Sequence, residues 1–270
     1  MGMELYAVLV LAALALTPAL LRCLRGRPGA RSMFATFIGV GLLFIVGLQW
    51  IQPKGGGKIP AAATDPPRQI VEGGYASSAS CRQCHPGAYD SWHGSFHRTM
   101  TQLPSARSIQ GDFDDVTVNV DGETFRMTRR GKEFWVEMPA FDNLGDLVAG
   151  GGRVERRIEL VTGSHHMQVY WFSAGLASRL DQFPLVWHIE EQRWIPRTSS
   201  FLVEPHQGMS TEPGRWNDVC IKCHATDGNP HYLNEAEMYS TVAEFGIACE
   251  ACHGPSEAHV AINSNPLRRY

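Results

Sequence analysis

The segment CIKCHATDGNPHYLNEAEMYSTVAEFGIACEACHGPSEAH, residues 220–259, contains the pattern C-x-x-C-H twice. A third copy, CRQCH, lies far upstream at residues 81–85. A chain of this length with seven Cys and eleven His would contain the pattern by chance roughly 0.007 times. The three copies use six of the seven cysteines, which are Cys81, Cys84, Cys220, Cys223, Cys249 and Cys252. The repeated motif is therefore the first feature that the fold and function must explain.

Paired cysteines serve three kinds of site. A structural zinc site would take four thiolates from residues 220–223 and 249–252, but it would leave Cys81 and Cys84 without partners. A redox dithiol needs a C-x-x-C on a βαβ unit, and the sequence around these motifs shows no such unit. Covalent haem attachment uses both thiols and also explains the adjacent histidine, which ligates the iron.

We therefore predict three covalently attached haem c groups. Each haem would form thioether bonds to the two cysteines of one motif, and the following histidine would be its proximal iron ligand. The predicted proximal ligands are His85, His224 and His253.

Two apolar runs near the beginning of the chain predict a membrane anchor. YAVLVLAALALTPALL and MFATFIGVGLLFIVGLQWI have close to the roughly 17–25 residues that span a bilayer. An Arg-rich loop separates them and should be cytoplasmic. We expect two transmembrane helices over residues 1–51, a periplasmic linker over 52–79, and a cytoplasmic (inner) membrane protein with its haem domain on the periplasmic side. Cleavage of a signal peptide after the second run, near AAA at 61–63, is the alternative.

The region between the first and second motifs has the alternation of β-strands. VTVNV at 116–120 is followed by Asp121-Gly122, a strong hairpin signal, and by TFRMT. We predict a first haem c segment over 80–111, an antiparallel β insert over 112–203, and the second and third haem c segments over 204–270. A capping box predicts a helix from Asn234. The predicted fold class is α+β, with the membrane hairpin followed by haem-packed helical and loop segments that a small antiparallel β insert interrupts.

Eight further histidines could supply distal iron ligands: His93, His97, His165, His166, His188, His206, His231 and His259. On a helix, His93 and His97 would share a face. On a strand, His165 and His166 would point to opposite faces, so only one of them could bind an iron. Methionine is the alternative distal ligand and would raise the reduction potential; the candidates are Met100, Met167 and Met209.

Two longer patterns carry a resemblance to a family. SWHGSFH follows the first motif at residues 91–97, and FGIACEACHGPSEAH surrounds the third at 245–259. Both resemble the multihaem c-type cytochromes grouped with hydroxylamine oxidoreductase and its tetrahaem electron acceptor. The resemblance covers roughly residues 80–101 and 216–260, and it implies that His97 and His259 are distal ligands to neighbouring haems. Family members usually carry four or more haems, so the three motifs here leave open a haem-bearing partner chain.

The net charge of −3 and a charged fraction of 19% give no basic surface for nucleic acid. We predict a membrane-anchored trihaem cytochrome c that relays electrons between a respiratory membrane complex and a redox protein partner, with no catalytic residue of its own. One alternative is an oxidoreductase acting on a small nitrogen or sulfur oxyanion at a five-coordinate haem. A sensor or assembly module is the third interpretation. The sequence favours electron transfer over catalysis.

Overall fold

The computed structural model describes residues 66–141, 152–174, 177–200, 214–233 and 237–265. The chain divides into two compact units, Met1–Gly55 and Gly56–Tyr270. All the described residues belong to the second unit.

Short strands at both ends of the described chain flank a set of longer ones. In chain order the strands are β1 Arg68–Gln69, β2 Thr101–Gln102, β3 Val116–Val120, β4 Glu123–Arg130, β5 Glu133–Pro139, β6 Arg153–Thr162, β7 Met167–Ser173, β8 Leu180–His188, β9 Arg193–Pro196, β10 Ala225–Thr226, β11 Thr241–Val242 and β12 Glu244–Phe245. The helices are α1 Ser78–Arg82, α2 Pro86–His93, α3 Arg197–Ser200, α4 Ile221–His224, α5 Cys249–His253 and α6 Glu257–Asn263, with a π-helical turn over Trp216–Cys220 before α4.

Strands β3 to β9 form one sheet in which each strand pairs with the next along the chain. All these pairs are antiparallel, and β2 adds to β6. The predicted hairpin is present: β3 and β4 pair across Asp121 and Gly122, whose φ angles of 50° and 82° are those of the tight turn that Asp-Gly favours. The valines of β3 alternate with more exposed residues, as expected for a strand with one covered face.

The sheet buries an aromatic core of its own. The long strand β6 pairs with β5 through residues 153–157 and with β7 through residues 158–162, so it belongs to both halves of the sheet. Between these halves the Trp194 ring lies against other aromatic side chains, which are Phe113, Tyr170, Phe183 and Trp187. A second, smaller apolar cluster includes Leu160 and Trp171 from the sheet and Trp216 and Ile221 from the second motif. This cluster attaches the second motif to the sheet.

The predicted fold class is wrong. The antiparallel sheet is not a small insert but the largest structural element among the described residues. The longest described helix, α2, has only eight residues. The physical reason is that strand residues with period-two alternation pack against one another, whereas the motif segments bury few apolar side chains of their own. The helix predicted from the capping box is also wrong in the described residues. Met238 forms an isolated β-bridge with Tyr232, and strands β11 and β12 follow it. Asn234 lies outside the described residues.

The predicted location in the cytoplasmic membrane is corrected as well. That prediction depended on membrane-spanning helices, and in the ranges given above no helix is long and apolar enough to cross a membrane. The predicted hairpin over residues 1–51 lies outside the described residues.

Candidate haem site

The first motif is placed by two short helices. The Ser77 hydroxyl caps α1 by accepting a hydrogen bond from the Ala79 amide (3.1 Å). The Cys84 and His85 amides both donate to the Cys81 carbonyl, at 3.2 and 2.8 Å, which closes a helical turn. Pro86 then begins α2 directly after His85, as proline favours the first helical position. Cys84 is exposed and Cys81 is partly buried.

The third motif forms the five-residue helix α5, which ends at Gly254 with a φ of 76°. The next helix, α6, carries His259. Within the motif, Glu250 is only 3% exposed. Its neighbours Cys249 and Cys252 are partly buried and exposed, respectively.

Hydrogen bonds join the first motif segment to the third. The Trp92 indole donates to the Ile247 carbonyl (2.8 Å), and the Ile247 amide donates to the His97 carbonyl (3.0 Å). Gly246 has a φ of +80°, and a Cβ there would lie 2.4 Å from the Arg98 carbonyl oxygen. Glycine is therefore required where the two segments touch.

Between these segments lies a cavity of about 710 Å³, a size within the range of about 300–1,000 Å³ that is typical of cofactor sites. Its walls include both motifs and both histidines that the family resemblance implied as distal ligands. These residues are Cys81, Cys84, His85, His97, Cys249, Cys252, His253 and His259. Two sets of haem-attachment groups thus face one space.

The rings of His85 and His259 both line this cavity and lie in nearly parallel planes. Their centroids are 6.3 Å apart and their planes differ by 19°. That separation is too large for direct ring stacking, but it matches a metal ion held between two imidazoles. With a metal–nitrogen bond of about 2 Å on each side and about 1 Å from nitrogen to ring centre, the expected separation is about 6 Å.

The first cysteines of the two motifs are also neighbours. Burial raises the pKa of the Cys81 thiol, and the adjacent Cys249 thiol raises it further by charge repulsion and a hydrogen bond. The first attachment points of the two motifs therefore lie side by side at the cavity wall.

The second motif is built differently and lies outside this cavity. It begins in the π-helical turn that ends at Cys220 and continues through α4. The fully buried Asn217 side chain accepts a hydrogen bond from the Leu180 amide (2.8 Å) and donates to the Ser178 carbonyl and the Ser240 hydroxyl (2.9 and 2.8 Å). One side chain thus fixes the motif to the start of β8.

Burial affects the titrating groups of the second motif. It raises the pKa of the Cys220 thiol and lowers the pKa of His224. A lowered pKa favours neutral imidazole, the form that binds a metal. The buried Nδ1 of His224 has no hydrogen-bond partner within the described part of the chain.

The second and third motifs are connected through a two-residue strand pair. Strand β10, directly after His224, pairs with β12. The Thr226 hydroxyl donates to the Gly246 carbonyl (3.1 Å) and accepts from the Ala248 amide (2.9 Å), one residue before Cys249. All three motifs consequently belong to one hydrogen-bonded framework.

The residues present fit haem c better than zinc. Each motif supplies two thiols and an imidazole from one short helical segment, and two motifs line a cavity of cofactor size. By contrast, in the described ranges no group of three or more His, Cys, Asp or Glu side chains is placed to hold a metal ion. This argues against the four-thiolate site considered from the sequence.

Among the described residues, the other candidate ligands do not line the cavity; His206 lies outside the described residues. His165 and His166 lie in the turn between β6 and β7 and not on a strand, with their rings 3.9 Å apart. The His165 ring also stacks on Phe96 at 4.2 Å. Helix α2 ends at His93, so His93 and His97 do not share a helix face. Met100 and Met167 do not line the cavity; Met209 lies outside the described residues.

Sequence reasoning missed two buried polar residues that organise the motifs, Asn217 and Glu250. A Glu between two motif cysteines is visible in the sequence. The burial of Glu250 depends on hydrogen-bond partners that the local sequence does not show, one of which, Ala76, lies 174 residues upstream.

The family model for "Cytochrome c554 and c-prime" matches residues 186–254. That match contains the complete second and third motifs. This part of the chain is therefore similar to the multihaem c-type cytochromes. The similarity supports covalently bound haem c as the cofactor of the second and third motifs.

Two solved structures are similar to part of this chain. The outer cell wall cytochrome OcwA has a TM-score of 0.43 and 18% identity, over 73% of this chain and 34% of that one. The undecaheme cytochrome from the S-layer of Carboxydothermus ferrireducens has a TM-score of 0.42 and 17% identity, over 72% of this chain and 23% of that one. The present chain thus spans about a third or less of either structure. No curated protein matches it.

Proposed function

We propose that this chain is a multihaem c-type cytochrome that relays electrons through three covalently attached haems, two of which occupy the cavity shared by the first and third motifs. The observation that carries the proposal is the pair of imidazoles, His85 and His259, held 6.3 Å apart and nearly parallel at that cavity. They would be the axial ligands of the haem bound by Cys81 and Cys84.

His253 and His97 would form the second axial pair in the cavity. His253 is the proximal ligand by its place in the third motif, and His97 lies at the same cavity wall, with its carbonyl bonded to the Ile247 amide. Each iron would then be ligated by one histidine from its own motif and one from the other segment. Such crossed ligation supports a closely packed haem pair.

When bound, haem supplies an iron that can gain and lose one electron. The chain's own contribution is to hold the attachment thiols side by side, to aim the imidazoles, and to fix the segments to a rigid sheet. If His85 with His259 and His253 with His97 held the two irons, neither iron would have a free position for a substrate, as expected of a relay. The second motif would hold the third haem, joined to the pair through β10 and β12.

The partners would be redox proteins or a respiratory complex that exchange single electrons with the haems. A haem-bearing partner chain is one such partner. The chain would be related to the multihaem cytochromes grouped with hydroxylamine oxidoreductase, as the residue patterns around the first and third motifs imply.

Removal of either predicted distal ligand tests the proposal. His259→Ala and His97→Ala should each convert one low-spin haem to a high-spin haem that binds carbon monoxide. Low-temperature EPR of the oxidised protein and a carbon monoxide titration of the reduced protein measure this. His188→Ala is the control, because His188 accepts a hydrogen bond from the Glu191 amide and does not line the cavity.

Unchanged spectra in both cavity variants would contradict the ligand assignment. A high-spin, gas-binding haem in the unsubstituted protein would instead favour the oxidoreductase alternative. The next experiment would then be a screen of small nitrogen and sulfur oxyanions.

A further inference from the structure

Glu250 is a buried acid in the centre of the third motif. It is 3% exposed and lines the shared cavity. Its Oε1 accepts three hydrogen bonds, from the Ala76 amide (2.7 Å), the Ser256 amide (2.8 Å) and the Ser256 hydroxyl (2.7 Å). An acid with so little exposure is unusual on structural grounds alone, because charged groups are rarely buried unless partners compensate them.

The three donors come from two different parts of the cavity. Ala76 lies just before α1, which carries Cys81, and Ser256 lies just before α6, which carries His259. Glu250 itself belongs to α5 with Cys249 and Cys252. One carboxylate therefore joins the attachment site of the first haem, that of the third, and the helix that provides an axial imidazole.

The charge of Glu250 reaches the first motif as well as its own. Together with the charge of Glu244, it contributes to the raised pKa of the Cys81 thiol, after burial and Cys249. In a partly desolvated site, charges interact more strongly than in water. A negative charge fixed between two attachment sites should accordingly act on both.

We propose that Glu250 is a positioning residue that holds the first and third motifs together and lowers the reduction potentials of both haems in the shared cavity. The inference rests on the proposed function. Its physical basis is that a fixed negative charge beside an iron centre opposes the uptake of an electron. Charge and hydrogen bonding near the iron are recognised means by which a protein sets haem potential.

Glu250→Gln is the direct test, because glutamine keeps the side-chain length and an acceptor oxygen but removes the charge. In a potentiometric titration followed by haem absorbance, two of the three one-electron components should move to more positive potential. We expect each to move by about a tenfold change in the equilibrium constant for reduction, which corresponds to about 59 mV for one electron. The reduction potential of the haem bound by the second motif should not change.

Glu257→Gln is the matched control. Glu257 is an exposed glutamate in the first turn of α6, so solvent screens its charge. Its substitution removes the same charge from the same segment and should leave all three components in place.

Ser256→Ala gives a second, independent test with the opposite sign. It removes one donor to Oε1 while keeping the carboxylate, so the charge is less compensated. The same two components should move to more negative potential, by less than the shift in Glu250→Gln. A residue with only a structural role would not give shifts of opposite sign in these two variants.

Three outcomes would overturn the inference: unmoved potentials in Glu250→Gln, an equal shift of all three components, or a shift of the same sign in Ser256→Ala. Intact mass separates this failure from failure of the proposed function. Absence of covalent haem in the unsubstituted protein contradicts the function, whereas three attached haems with unmoved potentials contradict only the role of Glu250.

Discussion

The sheet and the motif segments of this protein are stabilised in different ways. In the sheet, side chains such as Phe125 and Met127 are fully buried against other apolar residues. In the motif segments, buried polar side chains make many of the connections, as Asn217, Thr226 and Glu250 show, beside the apolar contact of Trp216 and Ile221 with the sheet. The comparison indicates that the sheet carries its own core, whereas the motif segments are aligned by directed hydrogen bonds and completed by the cofactor.

The exposure of the attachment groups supports this difference. Cys84, Cys223 and Cys252, the second cysteines of the motifs, are all exposed. Several large apolar residues near the second motif are exposed too, including Val219 at 72% and Leu233 at 66%. Apolar surface of this kind is what a bound porphyrin would cover. The motif segments should therefore depend on haem in a way that the sheet does not.

Truncation of a core aromatic in the sheet should have the largest effect on stability. Phe125 is fully buried and meets Phe183 edge to face at 5.9 Å. Phe125→Ala should lower the free energy of unfolding by about 3–5 kcal/mol, as measured by denaturant titration with far-UV circular dichroism. The haem absorbance of the folded protein should stay unchanged. Loss of the haem bands at an unchanged unfolding midpoint would refute the proposed separation of the two regions.

A methyl group at Gly246 should disturb the contact between the first and third motifs. Gly246→Ala forces a side chain into a φ of +80° and against the Arg98 carbonyl. The backbone strain alone costs about 1–3 kcal/mol. We expect a changed EPR spectrum for the haem pair. Gly254→Ala is the control because its φ is +76° but no atom lies within 4 Å of the added Cβ; an equal spectral change there would show that the contact is unimportant.

Asn217→Ala should change the haem of the second motif and leave the two haems of the shared cavity unchanged. It leaves the buried Leu180 amide without its acceptor, a loss of about 1–3 kcal/mol. The second haem should change its potential or spectrum while the other two keep theirs. The measurement is the same potentiometric titration, and a shift confined to the haem pair would contradict the prediction.

The smallest effect is expected on the outer face of the sheet. Asp115 and Arg126 form an ion pair of 2.6 Å with side chains 64% and 46% exposed. The Arg126 hydrogen bond holds the pKa of Asp115 below its usual value. Any stabilisation by this pair is therefore fully present above the pKa of Asp115 in the unfolded chain, and it is lost as the pH falls through the lower pKa of the folded protein. Because exposed pairs contribute little, Asp115→Asn should leave the unfolding midpoint at neutral pH unchanged. A loss as large as that of Asn217→Ala would be inconsistent with this assignment.

The features that could be predicted from the sequence are local. The three motifs predict haem c because the spacing of two thiols and an imidazole is set by the chemistry of attachment. The Asp121-Gly122 hairpin was predictable because turn type and alternation are both encoded in adjacent residues. The capping box at Asn234 misled, because Met238 and Val242, which follow it, pair with the distant segments Ala177 and Arg68–Gln69, and this pairing overrode the local preference.

The candidate site could be predicted only in part. Family patterns implied His97 and His259, and the structure brings both to the shared cavity. The position of His165 and His166 in a turn was not predictable, because consecutive histidines in a β region fit a strand equally well. The role of Asn217 and Glu250 depends on partners far away in the chain, which no spacing rule indicates.

The most direct test of covalent haem attachment at the three motifs is the intact mass of the protein, purified from a host that matures c-type cytochromes. We predict a mass greater than that of the polypeptide by three haems, and this added mass should survive acid denaturation because the attachment is covalent. A polypeptide without covalent haem, with zinc found by elemental analysis, would contradict haem attachment at the motifs.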